Sequence, residues 1–180
     1  MKKNTNKAKK ILEDGGLVIF PTETVYGIGC NATDLKAIKR LYKIKKRPTN
    51  NPLICHFSDI SYIKKNFKLN KIACRLADKF WPGPLTIILK KKEDSKIHPI
   101  LSNNTKFVGC RIPKHPLAQK LLKKLNFPVA APSANISNKL SATNTSHLKD
   151  FFDENIYVLD GGKSFYGLES TVIDIKNNKI

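Results

Sequence analysis

Apolar residues along this chain recur at two spacings, one typical of helices and one typical of strands. After Asp34, four apolar residues at helical spacing predict a helix that Asp34 caps. These four residues are Leu35, Ile38, Leu41 and Tyr42. Further predicted helices cover residues 7–14, 61–67, 70–80, 116–125 and, weakly, 148–152, and predicted strands cover residues 17–20, 53–57, 85–89, 107–112, 129–131, 157–159 and 171–175. Strands that alternate with helices indicate an α/β layered fold.

Two long segments lack a clear apolar pattern and are expected to be loops. Residues 22–34, TETVYGIGCNATD, contain Gly27 and Gly29, and residues 90–106 are polar and expected to be mobile. No Pro/Gly/Ser-rich linker divides the 180 residues, and 41% of them are apolar. We therefore expect one domain over residues 1–180 with a continuous core.

No apolar run approaches the roughly 20 residues that a membrane helix needs. The first residues, MKKNTNKAKKILEDGG, carry cations without the apolar segment of a signal peptide. We expect a soluble cytoplasmic protein with no membrane association.

The chain is strongly basic, with a formal net charge of +19 from 33 Lys+Arg and 14 Asp+Glu. Such an excess favours an anionic partner: nucleic acid, a nucleotide or a membrane surface. Lysines spread along the whole chain, together with many asparagines and isoleucines, are also typical of a genome rich in A and T, so both explanations stay open. Arginine is rare, which marks positions where lysine would not serve. The four arginines are Arg40, Arg47, Arg75 and Arg111.

Several common kinds of site are excluded by spacing. The four cysteines and four histidines are scattered singly, without the paired ligands of a structural zinc site. GGKS at residues 161–164 lacks the earlier glycine of a phosphate-binding P-loop, because Tyr157 occupies that position. YGIGCN has Ala32 where a dinucleotide-binding fingerprint needs glycine. No G-x-S-x-G nucleophile motif is present.

The stretch KIKKRPTNNPL, residues 43–53, gathers four cations at a predicted helix end just before Pro48. A residue before proline is driven out of the helical region, so we expect Arg47 to be extended. Side chains two apart on an extended chain point the same way. Lys45 and Arg47 should then project together and bind one anion, with Lys46 turned aside. The alternative is that these cations only complement the helix dipole.

Three more clusters suited to anions lie near the ends of predicted strands. PSANISNKLSAT supplies the polar groups of Ser133 and Asn135, GCRIP supplies Arg111, and PTETVYGIG supplies Thr22 and two glycines. Open α/β sheets place ligands in loops at strand ends, so we expect a ligand here. The alternatives are a polar turn without a ligand at Ser133 and a surface ion pair at Arg111.

Six motifs occur in order: PTETVYGIG, KIKKRPTNNPL, WPGPLT, GCRIP, PSANISNKLSAT and GLESTVID. Together, over residues 15–174, they resemble the YrdC-like family, and within it the branch that makes threonylcarbamoyl adenylate. The family signature K-x-R followed by S-x-N is intact at Lys45-x-Arg47 and Ser133-x-Asn135. The resemblance implies a twisted, mixed sheet flanked by helices, with a concave basic face.

The resemblance also implies an activity. L-threonine, bicarbonate and ATP, the last with Mg²⁺, form threonylcarbamoyl adenylate and release pyrophosphate, and a downstream threonylcarbamoyl-transferase complex modifies tRNA beside the anticodon. By resemblance, Lys45 and Arg47 are catalytic; Lys45, Arg47, Ser133, Asn135 and Thr143 bind ATP; and Thr22, Arg111 and Ser170 bind L-threonine. No protein side chain is expected to bind a metal by itself.

The chain departs from many relatives at three points. It has Ser137-Asn138 where S-G is common, SAT in place of SPT over residues 141–143, and no R-x-G segment after STVID. Two other functions stay open on sequence grounds. One is a module that binds double-stranded RNA or tRNA through phosphate contacts. The other is a paralogous YrdC-like enzyme with a different carbamoyl or adenylyl acceptor.

Overall fold

Within residues 4–137, 139–148 and 156–175, which the computed structural model describes, the chain forms five α-helices, two 3₁₀ helices and nine strands. The α-helices are α1 (Thr5–Glu13), α2 (Leu35–Ile44), α3 (Ile60–Asn66), α4 (Lys71–Phe80) and α5 (Pro116–Leu122), and the 3₁₀ helices are Pro99–Ser102 and Thr145–Leu148. The strands are β1 (Val18–Phe20), β2 (Gly27–Asn31), β3 (Cys55–His56), β4 (Phe67–Lys68), β5 (Leu85–Lys91), β6 (Phe107–Arg111), β7 (Val129–Ala130), β8 (Tyr157–Val158) and β9 (Thr171–Asp174).

The first four α-helices begin at side chains that cap them. Asn4, Asp34, Asp59 and Asn70 each accept a hydrogen bond from a backbone N–H in the first turn. These bonds satisfy donors that have no partner within the helix. The five strongly predicted helices, including the one capped by Asp34, are confirmed to within a few residues. The weak prediction for residues 148–152 falls mostly outside the described residues.

The strands form one mixed sheet in the order β4-β5-β6-β3-β7-β2-β1-β8, and β9 pairs with β5. The pairs β1–β8, β3–β6 and β5–β9 are parallel, and the other pairs are antiparallel. The predicted α/β class, a mixed sheet flanked by helices, is confirmed. That its face is concave and basic stays a prediction.

Buried side chains on both faces of the sheet explain why β1 is apolar at all three positions. Val18 and Phe20 belong to one core with α1 and α5, whereas Ile19 between them belongs to a second core that includes residues of α2. Neighbouring residues on a strand point to opposite faces. A strand buried on both faces therefore needs apolar residues at successive positions.

The two segments predicted to be loops are only partly loops, and the predictions were wrong over residues 27–31, 90–91 and 99–102, which have regular secondary structure. Residues 27–31 form β2, where a side chain at Gly29 would come within 2.6 Å of Val129 and 2.8 Å of Phe20. That glycine serves close packing in the sheet. Within residues 90–106, Ile97 and Leu101 are buried in the core. Their apolar side chains are too widely spaced in sequence to form a recognisable pattern.

Candidate active site

A cleft brings together residues from five of the six sequence motifs. Its lining comprises Thr22, Thr24, Val25, Tyr26, Gly27, Arg47, Pro52, Ile54, His56, Arg111, Ala131, Pro132, Ser133, Glu169 and Ser170. β3 runs parallel to β6 but antiparallel to β7, so the ends of β6 and β7 point in opposite directions. Thr22 follows β1, Arg111 ends β6 and Ser133 follows β7, so these cleft residues lie near strand ends as expected.

The helix α2 ends before Arg47, as predicted, but the chain turns sharply at Lys46, so Lys45 and Arg47 do not lie on one extended segment. Lys45 keeps a helical conformation, and Lys46 is left-handed with φ of 50°. The N–H of Arg47 donates to the carbonyl of Tyr42, and that of Lys46 donates to Lys43, which is the Schellman pattern of helix ends. Because Lys45 and Arg47 lie on either side of a left-handed residue, the alternation rule of an extended chain does not apply to them.

Lys45 is not among the residues that line the cleft, and it is only 1% exposed. Its Nζ donates to the carbonyl oxygens of Ser133, at 2.6 Å, and Asn135, at 2.5 Å. Burial lowers the pKa of this ammonium to about 8, with the charge of Arg47 as a second cause and Glu169 opposing the shift. The first cation of K-x-R is thus bonded to the loop that carries S-x-N.

Arg47 reaches the cleft with its guanidinium held by the following loop. Nη2 donates to Asn51 Oδ1 at 2.6 Å and to the Pro52 carbonyl at 2.8 Å, and Nε donates to the Asn51 carbonyl at 3.2 Å. A guanidinium has five N–H donors, so these three bonds leave donors for an anion. Burial lowers the pKa of Arg47, while Tyr42 and Glu169 counteract the shift.

The other predicted ATP-binding residues differ in where their side chains lie. Ser133 lines the cleft. The amide nitrogen of Asn135 donates to the carbonyls of Ile136 and Lys139, so this side chain shapes its own loop. Thr143 is not part of the cleft lining, and its hydroxyl lies 3.4 Å from Nδ1 of His147.

The three residues predicted to bind L-threonine all line the cleft. The hydroxyl of Thr22 donates to the carbonyl of Val25 at 2.7 Å and is 2.8 Å from the hydroxyl of Thr24, so it closes a tight turn. The hydroxyl of Ser170 lies 2.8 Å from that of Thr86. Glu169, next to Ser170, adds a carboxylate to the lining and accepts a hydrogen bond from Ser141.

Arg111 is held by a buried ion pair that sequence analysis did not find. Its Nη2 lies 2.6 Å from Glu23 Oε1, and its Nε donates to the carbonyl of Gly83. The second carboxylate oxygen of Glu23 accepts from the N–H of Lys114 at 2.9 Å. The ion pair fixes the guanidinium while leaving some of its five donors for a ligand. A glutamate inside an apolar motif, PTETVYG, was the signal that could have suggested it.

His56 is a second residue of the cleft that sequence analysis missed. It is 4% exposed, and its Nδ1 has no hydrogen-bond partner among the described residues. Burial lowers its pKa to about 3, with the charge of Arg111 as a further cause. The Nδ1 atom is itself buried, so it is a polar atom without a partner beside the cleft. A lone histidine in a short strand carries no sequence signal for this position.

A larger hollow of about 710 Å³ adjoins the cleft at Pro52, which lines both. Ile88, Phe107 and Gly109 give it an apolar wall, and Asp174 supplies a carboxylate. The side chain of Phe107 is 51% exposed. The cleft and the hollow are adjacent, and polar and apolar residues line both.

The chain matches a known protein family over most of its length. The family model for Sua5, YciO and YrdC proteins, described as telomere recombination, matches residues 10–180. The chain belongs to the Sua5/YciO/YrdC family. The resemblance to the YrdC-like family carried by the six motifs is therefore confirmed.

Curated members of this family carry a common name. Relatives named threonylcarbamoyl-AMP synthase include one from Pyrococcus abyssi, 43% identical over 170 residues, and one from Bacillus subtilis, 42% identical over 169 residues. Each alignment covers 93% of this chain but 49% of the relative. The chain thus spans about half the length of these two relatives.

Solved structures of family members share the fold. P. abyssi Sua5 complexed with L-threonine is 42% identical with a TM-score of 0.90, covering 94% of this chain and 50% of that one. Escherichia coli YciO is 26% identical with a TM-score of 0.78, covering 96% of this chain and 84% of that one. Both support the twisted mixed sheet described above.

Metal-binding clusters and membrane-spanning helices are both absent from the described residues. No three histidine, cysteine or acidic side chains in that part of the chain are placed to hold a metal ion together. None of its helices has the length and apolar character to cross a membrane.

Proposed function

We propose that this member of the Sua5/YciO/YrdC family is an L-threonylcarbamoyladenylate synthase, a nucleotidyltransferase. The observation that carries the proposal is the presence of two arginines from separate motifs, Arg47 and Arg111, in one cleft. The reaction needs two such groups, one for a triphosphate and one for an amino-acid carboxylate. The names of the relatives and the L-threonine complex of P. abyssi Sua5 support the same substrates.

The cleft divides into two ends under this proposal. Arg111, held by Glu23, takes the carboxylate of L-threonine, with the hydroxyls of Thr22 and Ser170 nearby. Arg47 and Ser133 take the phosphates of ATP. The hollow beyond Pro52 takes the nucleoside, with Ile88 and Phe107 among the residues that line it.

Catalysis of this reaction requires the protein mainly to position the reactants and to neutralise their negative charge. The threonine amine adds to carbon dioxide derived from bicarbonate and loses a proton, which gives a carbamate. A carbamate oxygen then attacks the α-phosphorus of ATP, and pyrophosphate leaves with the electron pair of the broken P–O bond. Two anions must approach each other, so fixed guanidinium groups that need no reorganisation favour the transition state.

Mg²⁺ is proposed to enter with ATP. Its preferred ligands are carboxylate, phosphate and water oxygens, often with only one or two carboxylates from the protein. Glu169 fits this requirement, because its carboxylate lies in the cleft lining near the charges of Lys45 and Arg47. The ion would neutralise phosphate charge, while the side chains bind and orient the substrates.

The product would serve tRNA modification in the cytoplasm. A carbamoyl adenylate is an activated acyl group, so the next reaction must be transfer to a nucleophile. We assign that transfer, to the adenosine beside certain tRNA anticodons, to a downstream threonylcarbamoyl-transferase complex.

Pyrophosphate release from ATP and Mg²⁺ tests this proposal directly. We expect release only when both L-threonine and bicarbonate are present, and much weaker release with serine or valine in place of threonine. Arg47→Ala should reduce release at least 100-fold, since it removes a charge-assisted contact to phosphate. Arg75→Ala, an exposed arginine on α4, is the matched control and should retain full activity. Release that ignores threonine would refute the assigned substrate.

A further inference from the structure

The side chain of Lys45 is hydrogen-bonded to the backbone of a neighbouring loop. We propose that Lys45 is a positioning residue, which holds the loop of residues 133–137 so that Ser133 lines the cleft with Arg47, and that it makes no contact with the triphosphate. This inference rests on the proposed function and divides the K-x-R/S-x-N signature into two pairs. Arg47 and Ser133 line the cleft, whereas Lys45 and Asn135 are buried and not part of its lining.

The ammonium of Lys45 already has acceptors for its donors. It donates to the carbonyls of Ser133 and Asn135 at 2.6 and 2.5 Å, and Oδ1 of Asn135 lies 3.5 Å away. A lysine has three N–H donors and no acceptor. A phosphate would have to displace one of these carbonyls and leave it without a partner in a buried place, which is unfavourable.

Lys45 both donates hydrogen bonds to the loop and accepts one from it. The backbone carbonyl of Lys45 accepts a hydrogen bond from the N–H of Ser137 at 3.0 Å. Lys45 therefore bonds the loop near its start through the side chain and near its end through the backbone. The amide of Asn135 reinforces the loop by donating to Ile136 and Lys139. Among the described residues, loss of the ammonium would leave the Ser137 bond to connect the loop with Lys45, while the N–H of Ala134 would still donate to the carbonyl of Tyr26.

The geometry also explains why arginine would not replace this lysine. The two carbonyls converge on one nitrogen, which suits a compact ammonium with three rotatable donors. A guanidinium is planar, larger and has its donors in a fixed fork. At a phosphate-binding position the opposite preference holds, because arginine binds phosphate well through two donors.

Hydrogen exchange without ATP separates positioning from direct contact. We expect Lys45→Met and Lys45→Arg each to raise the exchange rate of the backbone amides of residues 134–137 at least tenfold in ligand-free protein. Both should also weaken ATP binding at least tenfold. Lys43→Met, an exposed lysine on the same helix, is the control and should change neither. Unchanged loop exchange together with lost ATP affinity, or full activity of Lys45→Arg, would overturn the proposal.

The unmodified protein provides a second test, which does not depend on the variants being folded. In protein labelled with ¹⁵N-lysine, the Lys45 ammonium protons should be protected from exchange before ATP is added and equally protected afterwards. Protection that arises only with ATP would overturn the proposal. Failure of the proposed function would appear differently, as an absence of pyrophosphate release with the loop amides and the ammonium still protected.

Discussion

The buried pair of Glu23 and Arg111 shows how strongly environment decides what one side chain contributes. The two side chains are 8% and 5% exposed, and the carboxylate also binds the N–H of Lys114. Removing one partner leaves the other charge buried and uncompensated, which costs far more than the pair itself contributes.

Glu23→Gln should therefore lower the free energy of unfolding by about 3 kcal/mol. The same change at Glu13, which pairs with Lys9 on the surface of α1 with both side chains 39% exposed, should cost less than about 0.5 kcal/mol. Urea unfolding of the two variants beside the parent protein measures both values. Equal decreases in the free energy of unfolding would show that the buried ion pair stabilises the protein no more than the exposed one.

His56 predicts a pH dependence of stability. Its pKa is about 3 in the folded chain and 6.5 ordinarily, so between these values the unfolded chain binds a proton that the folded chain does not. Unfolding thus becomes easier as pH falls from 6.5 towards 3, by at most about 1.4 kcal/mol per pH unit from this residue.

Substituting this histidine should remove that contribution. In urea unfolding between pH 6.5 and 4, His56→Gln should lose stability less steeply than the parent protein. His147→Gln, at an exposed histidine, should follow the parent slope. Carboxylates titrate alike in all three proteins, so identical slopes for His56→Gln and the parent would contradict a neutral buried imidazole.

At the scale of elements, the turn after α2 determines the arrangement of the signature residues. Lys46 adopts φ of 50°, a conformation that costs a residue with a Cβ about 1–2 kcal/mol and costs glycine little. The turn places Lys45 against the loop of residues 133–137 and Arg47 in the cleft.

Glycine at this position should therefore stabilise the protein, whereas glycine one turn earlier should not. Lys46→Gly should raise the free energy of unfolding by about 0.5–1 kcal/mol, and Lys43→Gly within α2 should lower it by about 1 kcal/mol. Thermal or urea unfolding gives the sign of each change. Destabilisation by both substitutions would mean that the left-handed turn is not formed.

At the scale of the whole molecule, the sheet separates two apolar cores, and the surface carries the net charge of +19. Such a surface attracts polyanions whatever the cleft binds. A basic exterior therefore does not by itself identify a nucleic-acid-binding function. Such a function needs a test that is independent of the cleft.

Binding of double-stranded RNA provides that test. We expect the affinity to fall by about a thousandfold between 50 and 200 mM salt and to be independent of sequence. Ser133→Ala should leave RNA affinity unchanged, because it removes a neutral hydroxyl. RNA binding that resists salt, or that is lost with Ser133→Ala, would instead favour a specific RNA site in the cleft.

The sequence by itself determined the local features and the family. Caps such as Asp34, the apolar spacing of α2 and the breaks at glycine and proline depend on residues a few positions apart, so they can be read directly. The six ordered motifs identified the family, and five of the eight proposed site residues line the cleft.

Only the tertiary structure decided which members of those motifs face the cleft. Glu23 meets Arg111 across 88 residues of sequence, and Lys45 meets Asn135 across 90. The strand at Gly27–Asn31 likewise depends on partners from β1 and β7. Pairings over such separations depend on how the whole chain packs, whereas propensity and spacing report only the nearest neighbours.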